Sequence, residues 1–305
     1  MLQYIFKRLG ASCIVLLLIT IITFFIIQLA PGGPEILMDE NLSESDKLQI
    51  RQNLGLDKPV SVQYALGTSF SEKEPVIDIL KHRLPNTLLL SVSALVFAIL
   101  IGIPLGIYSA YRPNTSLDYA LSFLSMVGIS IPSFWIGIML IILLSVNLRV
   151  LPSAGMYNLG ADKTLIDLVR HMIIPVFVSA LSPLAQIVRY TRSSMLEVLN
   201  LDYIRTARAK GLKENKVLFI HALKNSLIPI ITVIGLTIPY LVAGTVIVEK
   251  IFAWPGMGRL MADSAFKRDY PVVMGVTLLV SVIVVTANLV IDIIYGYLNP
   301  KIRLE

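Results

Sequence analysis

Cysteine, histidine and charge are all scarce in this 305-residue chain: one Cys, three His, and only 15% Asp, Glu, Lys and Arg. A lone Cys13 cannot close an internal disulfide, so no covalent framework holds the fold. His82, His171 and His221 are scattered, and no HExxH or CxxC spacing occurs, which leaves no recognisable zinc site. A GxxxxGK[ST] loop is also missing, so ATP chemistry, if the protein uses any, belongs to another chain. No residue set reads as catalytic and none as cofactor-binding. The shortage of charge excludes an ordinary soluble domain: 55% of residues are hydrophobic and mean hydropathy is +0.76.

What the sequence does have is long apolar runs. A hydrocarbon core of roughly 30 Å needs about 20 helical residues at about 1.5 Å each. Six runs qualify, approximately Ala11–Ala30, Thr87–Tyr108, Tyr119–Val146, Met172–Val188, Leu227–Val248 and Val272–Tyr297. Lys7 and Arg8 ahead of the first run resemble the start of a signal peptide. That run is too long for one, however, and ends in Ala30-Pro31-Gly32-Gly33-Pro34 without a small-x-small cleavage pattern. It is expected to stay as a membrane anchor.

Orientation follows from the basic residues, which collect on cytoplasmic flanks of membrane helices. Lys7 and Arg8 precede the first run, Arg112 lies in the second loop, and Lys301 and Arg303 follow the last run. From Arg189 to Lys224 there are eight Lys and Arg against three acids, +5 of the chain's +6. The expected architecture is therefore an all-α membrane protein of six transmembrane helices with both termini cytoplasmic. A cytoplasmic loop (193–225) joins helices 4 and 5, and a small extracellular lobe (31–85) joins helices 1 and 2. Residues 1–30 form the tail and first helix, and 86–305 the five-helix core. Nucleic acid is excluded as a partner, because the basic segment lacks groove-reading chemistry and anionic lipid headgroups account for its charge.

The cytoplasmic loop is too polar to span and is patterned as two helices interrupted at Gly211, a C-cap position. Tyr203, Ala207 and Lys210 fall at i, i+4 and i+7 of the first. Val217, Leu218, Ile220, Leu223 and Leu227 give the second an apolar face. A helix, turn and helix held between two spans suits docking to a soluble partner.

These residues resemble the oligopeptide, dipeptide and nickel branch of the ABC importer permeases. Tyr203-Ile204-Arg205-Thr206-Ala207-Arg208-Ala209-Lys210-Gly211-Leu212, then His221-Ala222-Leu223-Lys224-Asn225, is similar to that branch's form of the EAA-type loop. Arg205 stands where the general pattern has Glu, and His221 and Lys224 where it has Ile and Pro. The resemblance runs on through Arg83-Leu84-Pro85-Asn86-Thr87, Ile129-Ser130-Ile131-Pro132-Ser133-Phe134 and Glu249-Lys250-Ile251-Phe252-Ala253-Trp254-Pro255-Gly256-Met257-Gly258.

The resemblance implies a permease subunit in a bacterial inner membrane, carrying peptides. Its implied partners are a second related permease, two ATP-binding cassette ATPase subunits and an external substrate-binding protein, with lipid around it. The coupling residues would be Tyr203, Arg205, Thr206, Ala207, Arg208, Lys210, Gly211, Leu212, His221, Leu223 and Asn225. Ala207 and Gly211 would let the ATPase approach closely. For any one basic residue, simple topology determination is an equal alternative.

Spans with small, polar and proline residues suit a pathway. They supply Ser130, Pro132 and Ser133 in the third, and Gly235, Pro239, Tyr240 and Gly244 in the fifth. Asp292 in the sixth is the clearest intramembrane acid and therefore a functional suspect, with a structural or snorkelling role as the alternative. Gly102 and Gly106 read as helix packing. The rival readings are the same importer class carrying nickel or another small solute, and an ion-driven secondary transporter. The latter is disfavoured by the lack of an internal repeat and of several mid-membrane acids.

Overall fold

The computed structural model describes residues 2–29, 67–160 and 162–298. Most of the expected external lobe, through residue 66, lies outside the described residues, as do Lys301 and Arg303. The described chain is built from long helices: α1 (Leu2–Leu29), α2 (Val76–Tyr111), α3 (Ser116–Ser130), α4 (Ser133–Leu140), α5 (Leu165–Leu199), the short α6 (Asp202–Ala209), α7 (Leu223–Ile251), α8 (Met257–Phe266) and α9 (Tyr270–Leu298). Five helical segments among the described residues are long and apolar enough to cross a membrane alone, and the bent pair Ser116–Ser130 and Ser133–Asn147, counted as one broken span, brings the candidates to the six expected.

Two boundaries differ from the sequence reading. The helix of the second span begins at Val76, not near Thr87, because Val76, Ile79 and Leu80 at i, i+3 and i+4 bury against Met257 and Leu260 of α8 and Val272 and Val276 of α9. Asp78, Lys81, His82 and Arg83 hide this turn from a hydropathy scan. The third run is not one helix: α3 and α4 meet at a 101° bend. Pro132 has no amide hydrogen and pushes Ile131 out of the helical region, to φ −84° and ψ 129°. Past Leu140 the chain continues as a π-helical turn, Ile141–Asn147.

Packing centres on α2 and α5, which run against each other along most of their length. Close approach is possible because α2 carries glycine at the crossing. A Cβ on Gly102 would stand 2.8 Å from Ile187, and one on Gly106 2.5 Å from Thr191 Cβ and 2.8 Å from the Val188 carbonyl. The Gly102 and Gly106 pair is thus a packing device, as expected. Gly106→Val forces these helices apart and is expected to lower stability in detergent by about 1–3 kcal/mol. Unchanged thermal unfolding would show that the crossing is looser than these distances.

Ahead of α9, Asp269 (1% exposed) fixes the strap before α2. Its carboxylate accepts the amides of Phe70 and Ser71, each at 3.1 Å, and the Ser69 hydroxyl. Lys250 at the end of α7 lies beside Asp263 of α8 and holds that carboxyl below the usual carboxylate range, with Arg259 and Lys267 adding to the effect. A depressed folded-state value means the contribution is complete at neutral pH and fades as acid protonates Asp263. The melting difference between wild type and Asp263→Asn is accordingly expected to hold constant near neutrality and shrink below about pH 4.

Candidate coupling surface and translocation pathway

The loop after α5 folds as a separate helix seated on the C-terminal ends of α2 and α5. Ile204 (0% exposed) and Ala207 (7%) pack with Ile107 and Ala110 of α2, Met195 and Val198 of α5, and Val217, Leu218 and Ala222. Ala207 therefore faces this chain's own core. Its small side chain lets α6 lie close to α2 and α5. Arg205, Thr206, Arg208 and Lys210 point outward and are exposed.

Gly211 ends α6 in a left-handed conformation, φ +74°. Its amide donates to the Arg208 carbonyl (2.9 Å) and the Leu212 amide to the Ala207 carbonyl (3.4 Å). This is the double bond pattern of a Schellman cap, completed by Leu212 packing against the cluster that holds Ala207. No atom lies within 4 Å of a Cβ built on Gly211, so its role is conformational within this chain. Glu214 braces the turn by binding the Arg208 guanidinium at 2.8 Å, which raises the Arg208 pKa above its usual value.

The second half of the loop is a short turn, Glu214–Lys216, and a π-helical segment, Val217–Ala222, leading into α7. The π turn shifts the side-chain register. Val217 and Leu218 are buried, while Ile220, expected on the same apolar face, is 56% exposed beside Phe219 at 53%. Tyr203, His221 and Asn225, 22 positions apart at most, come together as a clasp. The Asn225 amide donates to the Tyr203 hydroxyl (2.6 Å) and the His221 carbonyl (3.2 Å). Tyr203 also donates to that carbonyl at 3.4 Å. Leu223 is half-buried against the α6 cluster. The coupling set thus divides into a clasp that fixes α6 on α7 and an outward face of Arg205, Thr206, Arg208 and Lys210.

The pathway set divides more sharply. Ser130, Pro132 and Ser133 line a cavity of about 360 Å³ between α3, α4, α5 and α7. Gly235 does not line it; a Cβ there would stand 2.7 Å from Ile291 of α9, so this glycine packs two spans together. Pro239 is half-buried and outside the lining, and the side-chain surroundings of Tyr240 and Gly244 lie outside the described residues. Asp292 does not line the cavity; it pairs with Arg8 at 3.0 Å, tying α9 to α1. An intramembrane carboxylate with a basic partner on an adjacent helix is a structural solution to burial cost.

Three buried groups escaped the sequence reading. Ser179 and Ser182 line the cavity from α5; their i, i+3 spacing between Pro175 and Pro183 is the signal that could have found them. Asp118 of α3, 1% exposed, binds Arg192 of α5 through Nε at 2.6 Å and Nη2 at 2.8 Å. Glu249 of α7, 0% exposed, accepts the Thr87 hydroxyl at 2.7 Å and the Arg259 amide at 2.9 Å. Gly256 leaves room for it, since a Cβ there would meet the carboxylate at 2.4 Å.

Known proteins match this arrangement over the whole chain. The chain is 47% identical to the oligopeptide transport system permease protein AppB of Bacillus subtilis, covering 99% of this chain and 100% of that one. It is 41% identical to the dipeptide transport system permease protein DppB of Escherichia coli K12, covering 99% of each. Among solved structures, the MetNI methionine ABC transporter in inward-facing conformations superposes with a TM-score of 0.60 at 19% identity, over 74% of this chain and 99% of that one, a likeness of fold. Residues 1–66 match the N-terminal component of binding-protein-dependent transport system membrane proteins. With residues 102–304 matching its main signature, the chain belongs to the family of binding-protein-dependent transport system inner membrane components.

Proposed function

We propose that this chain is the peptide-conducting permease subunit of an ATP-driven importer, and that α6 is the handle by which ATP hydrolysis moves it. Permeases of this family sit in the bacterial inner membrane and work with separate ATPase subunits and a substrate-binding protein. The finer assignment is a second, related permease completing the pathway, two ATPase subunits docked on the paired α6 helices, and peptide as cargo. The names of the AppB and DppB relatives support the cargo. Residues 31–85 would form the outer lobe, closing on the first turns of α2 from Val76, and 86–305 the moving core.

The observation that carries the reading is the construction of α6. Its inner face is locked to α2 and α5 by Ile204 and Ala207, and its outer face presents Arg205, Thr206, Arg208 and Lys210, all exposed. A push on such a helix passes into two spans at once. The Gly211 cap is the sensitive point, since a branched residue at φ +74° is strained by roughly 1–2 kcal/mol.

The test is ATP-dependent uptake by the complete importer in proteoliposomes. Gly211→Val is expected to reduce peptide uptake at least about tenfold, an uncoupling worth 1.4 kcal/mol or more, while ATP hydrolysis by the assembled complex persists. Full uptake in an assembled Gly211→Val complex contradicts the handle. Uptake that survives removal of the ATPase subunits points to an ion-driven carrier instead.

A further inference from the structure

α5 is longer than a membrane requires. Its 35 residues extend over roughly 52 Å at about 1.5 Å each, against a hydrocarbon core of roughly 30 Å. The apolar run within it starts near Met172, so the turns from Leu165 to His171 reach about 10 Å beyond the core, across the phospholipid headgroup layer. Asp167, Arg170 and His171 belong to these turns, yet Leu165 and Ile166 beside them are each 75% exposed. Ile166, Val169, Ile173 and Phe177 fall at i, i+3, i+7 and i+11, and all four are exposed. They form one apolar stripe that runs from the span out past its end.

The connection leading into α5 adds a second apolar element at this end, and it is firmly held. The Asn158 backbone and side-chain amides donate to the Asp167 carboxylate at 2.8 and 2.6 Å. The Arg170 guanidinium donates to the Val150 carbonyl at 3.0 Å, and the Gly155 amide to the Phe252 carbonyl at 2.8 Å. Leu151 and Met156 pack against the cluster of Ile174, Phe252 and Trp254. Gly155 and Gly160, at φ +84° and +76°, turn the chain on either side of Leu159, whose side chain is fully exposed. A turn fixed at this many points and presenting a bare leucine to water forgoes the free energy that covering it would return. The rim is aromatic and cationic: Lys163 lies over the Tyr157 ring at 5.8 Å, and Arg149 is exposed, with no side-chain partner among the described residues.

We infer that this end of the molecule is an interfacial anchor: Leu159, with Ile166 behind it, enters the boundary between headgroups and acyl chains in the leaflet opposite α6. The occupant is phospholipid, because the apolar stripe is continuous with the outward face of the span itself. Tyrosine and cations around exposed apolar side chains are also the composition of a bilayer interface, where rings lie among headgroups and cations meet phosphate. The turn can enter that layer because the amides of Gly155 and Asn158 already have acceptors. Such an anchor sets the depth of α5 at one end while α6 sits at the other, whether or not α6 is a handle.

The test is spin-label accessibility in the complete importer, reconstituted in vesicles of phosphatidylethanolamine and phosphatidylglycerol. A nitroxide is placed on Leu159→Cys in a Cys13→Ala background. Its collisions with oxygen, which concentrates in the bilayer, are expected to exceed those with a water-soluble nickel chelate, at a ratio at least about threefold above that of the free label in buffer. Should the labelled complex fail to assemble, Ile166→Cys is read by the same criterion. A ratio equal to that of free label places the turn in water and overturns the anchor. Little collision with either reagent shows protein covering the site and overturns it as well. Neither result bears on the peptide-permease reading.

Discussion

Asp118→Ala is expected to unfold well below the wild-type temperature in detergent, with a loss of about 3–5 kcal/mol, because it strips the partner from a charge held inside the helix bundle. The Asp118 carboxylate takes both prongs of the Arg192 guanidinium, at 2.6 and 2.8 Å, together with the Ser109 hydroxyl and the Asn114 amide at 3.0 Å. These groups belong to α2, α3, α5 and the turn between the first two, so one carboxylate joins three helices near the surface where α6 sits. Alanine leaves a guanidinium, whose side chain is only 29% exposed, with nothing to accept its hydrogen bonds. Replacing both partners with apolar residues, Asp118→Leu with Arg192→Met, is expected to recover most of the loss, because a buried pair and a well-packed apolar pair are close in free energy. A single mutant that melts with wild type contradicts the assignment. A double mutant no better than the single one shows that the network matters beyond its pairing.

Glu249→Ala is expected to have a comparable effect at the opposite face of the membrane, about 3 kcal/mol or more from two hydrogen bonds to a charged acceptor. Glu249 is fully enclosed and holds the Thr87 hydroxyl of α2 and the Arg259 amide in the first turn of α8. Thr87 in turn accepts the Met257 amide at 2.7 Å. The Asn86 amide donates to the Pro255 carbonyl at 2.8 Å, and the Trp254 indole to the Asn86 carbonyl at 2.9 Å. The carboxylate thus caps α8 and pins it to α2. Glu249→Gln keeps the shape and one acceptor, so its loss is expected to fall between those of wild type and Glu249→Ala. Equal melting of Glu249→Ala and wild type would mean that water replaces the carboxylate.

Number and placement of the spans were legible because hydropathy over about 20 residues is a direct measure of the cost of entering lipid. Gly211 as a cap was legible for a similar reason, since helix ends are decided by local backbone chemistry. What sequence left hidden depends on partners far along the chain. Val76–Arg83 reads as a polar loop until α8 and α9 cover Val76, Ile79 and Leu80. Asp118 and Arg192 stand 74 positions apart, and Thr87 and Glu249 162 apart, so no local pattern announces either joint. An intramembrane acid looks alike in sequence whether it meets cargo or a partner such as Arg8, which pairs with Asp292 here. A small residue such as Ala207 permits close packing without saying against what, and within this chain the neighbours are α2 and α5. Pro132 stood out in the third run as a pathway proline, but the size of the bend it makes depends on how α4 packs against α5 and α7.

On the proposed handle, the cationic segment between α5 and α7 faces the cytoplasm and is gripped there by an ATPase. With Cys13 the sole cysteine, Cys13→Ala gives a thiol-free background, and Arg205→Cys places one thiol on the outward face of α6, where the native side chain is 72% exposed. The account predicts that a membrane-impermeant maleimide labels this thiol in inside-out vesicles and not in intact cells, and that docking the ATPase subunits protects it. Labelling in intact cells, or a thiol equally reactive with and without the ATPase, would contradict it.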